Sequence, residues 1–293
     1  MSNPVMNWIS RRLIDSKCKQ MGLQRRRVET PDGQWVLYTG GKGPNMWLVH
    51  GFGANKENWL ALAPRLMRHY TVWIPDLIGF GESERPANAV YGIADQAARL
   101  DRLAAHLGAA PYHVMGNSMG GYLAGALAAN HSEHVLSACM LNPAGVRGAE
   151  HTQVATAFLE QGKVMLAPTS HEEYLRVVEL CFNGKAPPMP NFMRRYFSAI
   201  SVRNKDLLDR VFVEFTHPDH NESLNDMVAR SRVPLMTIWG DSDQLVHPSG
   251  LGILRQAQPV MRVLMLENTG HCPMVDRASM VYKAHLEFIK PSA

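Results

Sequence analysis

One short string restricts the fold of this 293-residue chain more than any other: Gly116-Asn117-Ser118-Met119-Gly120-Gly121. An apolar run, Tyr112 to Met115, precedes it, and a stretch of helix formers, Tyr122 to Ala129, follows. The pattern is strand, tight turn, helix. Glycines two residues either side of Ser118 remove the Cβ atoms that would collide as strand and helix close on one another. The serine hydroxyl is then held in a strained turn at the end of a strand, the mounting expected of a nucleophile.

A serine needs a base, and the base needs an acid. The strand-like run Met261 to Leu266 leads into Asn268-Thr269-Gly270-His271-Cys272-Pro273, which places His271 on the loop leaving a strand's carboxyl end. Between them, Val233 to Trp239 reads as another strand and runs into Gly240-Asp241-Ser242-Asp243, a loop offering two carboxylates. The order serine, aspartate, histidine is that of the α/β-hydrolases and not of the other serine triads.

Further strings agree: His50-Gly51-Phe52-Gly53-Ala54-Asn55-Lys56 after the third strand, and Pro75-Asp76-Leu77-Ile78-Gly79-Phe80-Gly81-Glu82-Ser83 after the fourth. With these in register, the chain resembles α/β-hydrolase-fold serine hydrolases over most of its length. It is most similar to the family V bacterial lipases and carboxylesterases and their monoacylglycerol-lipase-like relatives. The resemblance implies an α/β-hydrolase fold with a mostly parallel central sheet flanked by helices and a helical cap after the sixth strand. It also selects Asp243, in the Gly-x-x-Asp turn, over Asp241, and implies an oxyanion hole from the backbone N–H groups of Phe52 and Met119. His50 and Asp76 are expected to be structural, with His50 bracing the oxyanion loop.

The hydropathy pattern supports this layout. Arg27 to Thr30 and Trp35 to Tyr38 flank the turn signal Pro31-Asp32-Gly33, an opening hairpin. Met46 to Val49 and Thr71 to Ile74 read as buried strands separated by a helix over about 56–69, and a second helix is expected over about 94–107. After Val135 to Leu141 the alternation stops, and residues 147–231 read as consecutive helices, including Glu172 to Phe182, Asn191 to Ile200 and Lys205 to Phe215. The expected division is an N-terminal helical segment (1–24), a core from 25–146 and 232–293, and a cap from 147–231 that lies over the site. Phe158, Met165, Leu166, Phe182, Phe192, Met193, Phe197 and Phe212 supply the cap's apolar interior or an acyl pocket.

Composition sets the outer limits. A 46% hydrophobic fraction supports a sizeable core, and a net charge of +4 is too small to imply nucleic acid. No apolar run approaches the ~20 residues that span a bilayer, and Arg11, Arg12, Asp15, Lys17 and Lys19 interrupt any apolar region of a cleavable signal. The widely scattered Cys18, Cys139, Cys181 and Cys272 read as free thiols of a cytoplasmic protein, with no metal spacing and no cofactor motif. Val5, Trp8, Ile9 and Leu13 form an imperfect stripe, interrupted by Arg12, which favours docking on the protein and leaves open a weak peripheral contact with a membrane.

The expected chemistry is acyl transfer. His271 takes the proton of Ser118 and returns it to the leaving group, an aspartate fixes and stabilises the imidazole, and backbone N–H groups meet the oxyanion. The expected substrate is a lipophilic short- to medium-chain ester or an acylglycerol. A carbon–carbon hydrolase of the meta-cleavage-product type is the second expectation. Phe52 in the oxyanion loop and Cys272 after the base depart from what that resemblance implies. The third is a ligand-binding receptor-like module on the same fold.

Overall fold

The computed structural model describes residues 4–184 and 186–290. Eight strands form one sheet in the order β1-β2-β4-β3-β5-β6-β7-β8: β1 Gln24–Thr30, β2 Gly33–Gly41, β3 Asn45–Val49, β4 Thr71–Pro75, β5 Tyr112–Asn117, β6 Val135–Leu141, β7 Leu235–Gly240 and β8 Arg262–Leu266. The β1/β2 hairpin and the β2/β4 pair are antiparallel, and every pair from β4 to β8 is parallel. Parallel strands need covered faces, and β5 and β7 are buried at every residue.

The covering helices follow from the chain's alternation: α1 Pro4–Gln20, α2 Ala63–Leu66, α3 Ile93–His106 and α4 Met119–Asn130, then α5 Gln153–Gln161, α6 His171–Cys181, α7 Asn191–Arg203, α8 Lys205–Thr216 and α9 Leu224–Arg230 between β6 and β7. Helices α10 Gly250–Ala257, α11 Pro273–Asp276 and α12 Ala278–Ile289 complete the chain's order. Among the described residues, no helix is long and apolar enough to cross a membrane.

Two expectations change. The helix read over 56–69 is a 3-10 turn, Lys56–Trp59, followed by the four-residue α2. Asn55 caps the turn by accepting Glu57 N–H, and Pro64, lacking an N–H, cannot carry a continuous helix through this stretch. Helix α1 does dock, but by the face carrying Ser10, Ile14 and Cys18. Trp8 and Leu13 of the expected stripe stay 60% and 50% exposed, and the side chain of Val5 lies outside the described residues.

The face of α1 is chosen by charge. Arg11 reaches Glu57 and Glu82 at 2.9 Å each, Asp15 at 2.6 Å, and the Tyr38 hydroxyl. Beneath it the fully buried Lys56 ammonium pairs with Asp76 at 2.6 Å and Glu82 at 2.7 Å. Burial alone would raise the Glu82 carboxyl, yet Lys56, Arg25 and Arg11 hold it down to about 2. At the other end of the inserted stretch, α9 belongs with the sheet's covering layer. An added Cβ on Gly125 of α4 would collide with Leu224, the first residue of α9.

Candidate active site

Ser118 sits between β5 and α4 with φ 58° and ψ −120°, a conformation costly for a residue with a Cβ. The turn is affordable only because its neighbours are glycines: a Cβ on Gly116 would strike the Gly120 carbonyl, and one on Gly120 would strike the Val49 carbonyl. Ser118 N–H donates to Leu141 O at 2.9 Å, fixing the turn to the end of β6. Asn117 secures the other side, its amide donating to Leu141 O at 3.1 Å and to His271 O at 2.9 Å.

His271 and Asp243 meet as the sequence order requires. His271 Nδ1 bonds Asp243 Oδ2 at 2.8 Å, and both side chains are buried. Burial opposes charging the imidazole, but the Asp243 charge and hydrogen bond outweigh it and raise the His271 pKa above its ordinary value. Asp243 Oδ1 accepts the N–H groups of Leu245 at 2.8 Å and Val246 at 3.1 Å, so the carboxylate is held from both ends. Asp241 faces elsewhere, accepting from the Ser242 hydroxyl at 2.8 Å and Thr269 N–H at 3.3 Å.

No hydrogen bond joins the Ser118 hydroxyl to His271 among the described residues, and resting sites of this kind commonly close only around substrate. The residue before Phe52 packs on the serine, since a Cβ on Gly51 would come within 3.0 Å of Ser118 Cβ, and Met119 directly follows the serine. Met119 begins α4, where an N–H has no intrahelical acceptor. The Phe52 N–H enters no backbone hydrogen bond among the described residues. His50 braces this loop: Nδ1 bonds Gly51 O at 2.8 Å while Nε2 accepts Leu77 N–H at 3.0 Å, which fixes a neutral ring, and burial lowers its pKa. Asp76 also braces the loop's end, accepting Lys56 N–H at 2.8 Å.

Sequence reasoning missed Asn142. Its amide donates to Asp243 Oδ2 at 2.6 Å. Of the apolar residues expected in the cap or acyl pocket, Phe158 and Phe212 join an aromatic wall built on Phe52, whose ring lies 5.2 Å from Phe212, 5.6 Å from Phe215 and 6.1 Å from Phe80, with Phe158 4.8 Å beyond Phe212; the parts of Phe52, Phe80 and Phe215 in it were not foreseen. Phe182, Met193 and Phe197 instead pack on the side of the buried cluster containing Cys272 and Met274.

The model of the alpha/beta hydrolase fold family matches residues 44–278. Lipase 1 of Psychrobacter immobilis is 31% identical over 94% of this chain and 88% of its own length. The human monoacylglycerol lipase ABHD6 is 27% identical over 92% of this chain and 83% of its own. Among solved structures, a membrane phospholipase A described as a bacterial virulence factor superposes with a TM-score of 0.91 at 30% identity, covering 97% of this chain and 91% of that one.

Proposed function

The chain belongs to the α/β-hydrolase fold family and is an ester-hydrolysing serine hydrolase, and we propose that it cleaves lipophilic acyl esters or acylglycerols through an acyl-serine formed on Ser118. The observation that carries the residue assignment is the Asp243–His271 bond, on loops at the same sheet edge as the strained serine. In this reading His271 Nε2 removes the Ser118 proton, Oγ attacks the acyl carbon, and the N–H groups of Met119 and Phe52 receive the oxyanion. The imidazolium then protonates the leaving alcohol. Water, deprotonated by the same ring, releases the acid.

We assign residues 147–231 as the insertion that carries the cap, with α5 to α8 as its overhanging part and α9 returning to the sheet's covering layer. The Phe52, Phe158, Phe212 and Phe215 wall supports an apolar acyl chain, because aromatic faces reward buried methylenes and give nothing to a polyanion. The N-terminal segment adds a weak peripheral lipid contact through exposed Trp8 and Leu13 beside Arg12, whose guanidinium lies 5.2 Å over the Trp8 ring. Co-sedimentation with anionic vesicles checks this; equal binding by Trp8→Ala would refute it.

The test of function is a fluorophosphonate label followed by specificity constants for p-nitrophenyl esters. They should rise from acetate to butyrate, with each buried methylene worth up to ~0.8 kcal/mol. A 2-hydroxy-6-oxo-dienoate cleaved faster than every ester by orders of magnitude would replace ester hydrolysis with carbon–carbon hydrolysis. Absence of both labelling and turnover would leave the binding-module reading.

A further inference from the structure

Helix α6 ends on Cys181, and the loop after β8 places Cys272 directly after His271. The two segments are joined through their backbones: His271 N–H donates to the Cys181 carbonyl at 2.8 Å. They are pressed so closely that a Cβ on Gly270 would come within 2.7 Å of Cys181 O and 3.2 Å of Phe182 Cα. Only a glycine allows that approach. The two side chains belong to one buried cluster, Cys181 packing against the group that contains Cys272, and both cysteines are unoxidised. Cys272 is buried and Cys181 is of intermediate exposure.

The pair is polarised. The neighbouring Cys272 thiol, helped by His271 and opposed by burial, holds the Cys181 thiol below its usual range. The same pairing and burial push the Cys272 thiol well above it. Cys181 is thus the better thiolate and Cys272 the proton-bearing partner.

From this contact we propose that Cys181 and Cys272 are a hydroperoxide-sensitive dithiol whose oxidation ties the end of α6 to the base loop and slows turnover. The Cys181 thiolate attacks one oxygen of hydrogen peroxide; an S–O bond forms, the O–O bond breaks, and hydroxide leaves and takes up a proton. The Cys272 sulfur then displaces the sulfenic hydroxyl, which departs as water with the Cys272 proton. Two thiols and one peroxide become one disulfide and two waters, the sulfurs losing the two electrons that the peroxide gains. Turnover suffers because a tether beside the base restrains cap movement and displaces the imidazole, and reacting groups tolerate little misplacement. The turnover part rests on the ester-hydrolase reading of Ser118 and His271; the covalent part does not.

The reduced full chain is treated with hydrogen peroxide, digested without reductant for mass spectrometry, and assayed in parallel with p-nitrophenyl butyrate. A linked Cys181–Cys272 peptide is expected, with turnover falling on the order of tenfold or more. Dithiothreitol should restore the rate, a reversal that methionine oxidation would not show. Cys181→Ser is expected to keep the untreated rate and lose the peroxide response, and Cys272→Ala to form no linked species. Absence of the linked peptide, or its formation with turnover unchanged, overturns the proposal. Failure of the untreated enzyme to hydrolyse any ester would strike the functional reading instead, and the linked peptide would still decide the pair.

Discussion

The Asn142 amide donates to Asp243 Oδ2 at 2.6 Å, the same oxygen that bonds His271 Nδ1 at 2.8 Å. Asn142 follows β6 at φ 45°, a left-handed position that asparagine tolerates better than most side chains. With the two N–H donors on Oδ1, Asp243 has four partners, which hold the carboxylate aimed in a buried site.

Ser118→Ala should abolish ester turnover, with a loss on the order of 10⁴- to 10⁶-fold, and should leave circular dichroism and the unfolding midpoint near the parent's. Retention of most of the parent's rate would reject Ser118 as the nucleophile.

Asp243→Asn should lower kcat by about 10⁴-fold, because the amide cannot stabilise the imidazolium. Asp241→Asn should stay within a few fold, since Asp241 is held by Ser242 and Thr269 and not by His271. Ranking the two variants by kcat decides the assignment. The reverse order would move the acid to Asp241.

The acid limb of kcat/KM should lie above the ~6.5 of an unperturbed histidine. The sign follows from the site: Asp243 stabilises protonated His271, the base works only when neutral, and activity is therefore lost while the pH is still above the ordinary value. In Asp243→Asn, the residual activity should show this limb at lower pH. A pH profile that does not move between the two proteins would count against His271 as the titrating base.

Lys56→Met should destabilise the fold by about 3 to 5 kcal/mol, the usual cost of leaving a buried charge partner unpaired. Asp76 is fully buried, and Lys56 is its ion-pair partner at 2.6 Å. Urea unfolding measures the loss. A change under about 1 kcal/mol would show that Arg11 and Arg25 compensate through Glu82.

The elbow was legible because its demand is local: a strained serine between a strand and a helix requires glycines at fixed offsets, and sequence records glycine. The chain order of Ser118, Asp243 and His271 was legible for the same reason, each being tied to the end of a recognisable strand. Which of Asp241 and Asp243 turns toward His271 was not local. The two differ by the direction of one loop, and resemblance had to choose.

Asn142 was missed because its partner lies 101 residues away. The docking face of α1 was misjudged on similar grounds. Hydropathy favoured Trp8 and Leu13, whereas Arg11 has partners in Glu57 and Glu82, 46 and 71 positions along the chain. Periodicity sees neither pairing.

The sheet order carries a temporal consequence. The strand leading into Ser118, β5, precedes β7 and β8 in the chain, and those two strands also extend the sheet outward from β6. A chain folding from its amino end therefore completes its elbow while Ser118 still has no proton acceptor. The hydroxyl stays inert until the far edge has docked. In a refolding experiment, fluorophosphonate capture would report assembly of that edge and would lag any probe of the β5–α4 turn.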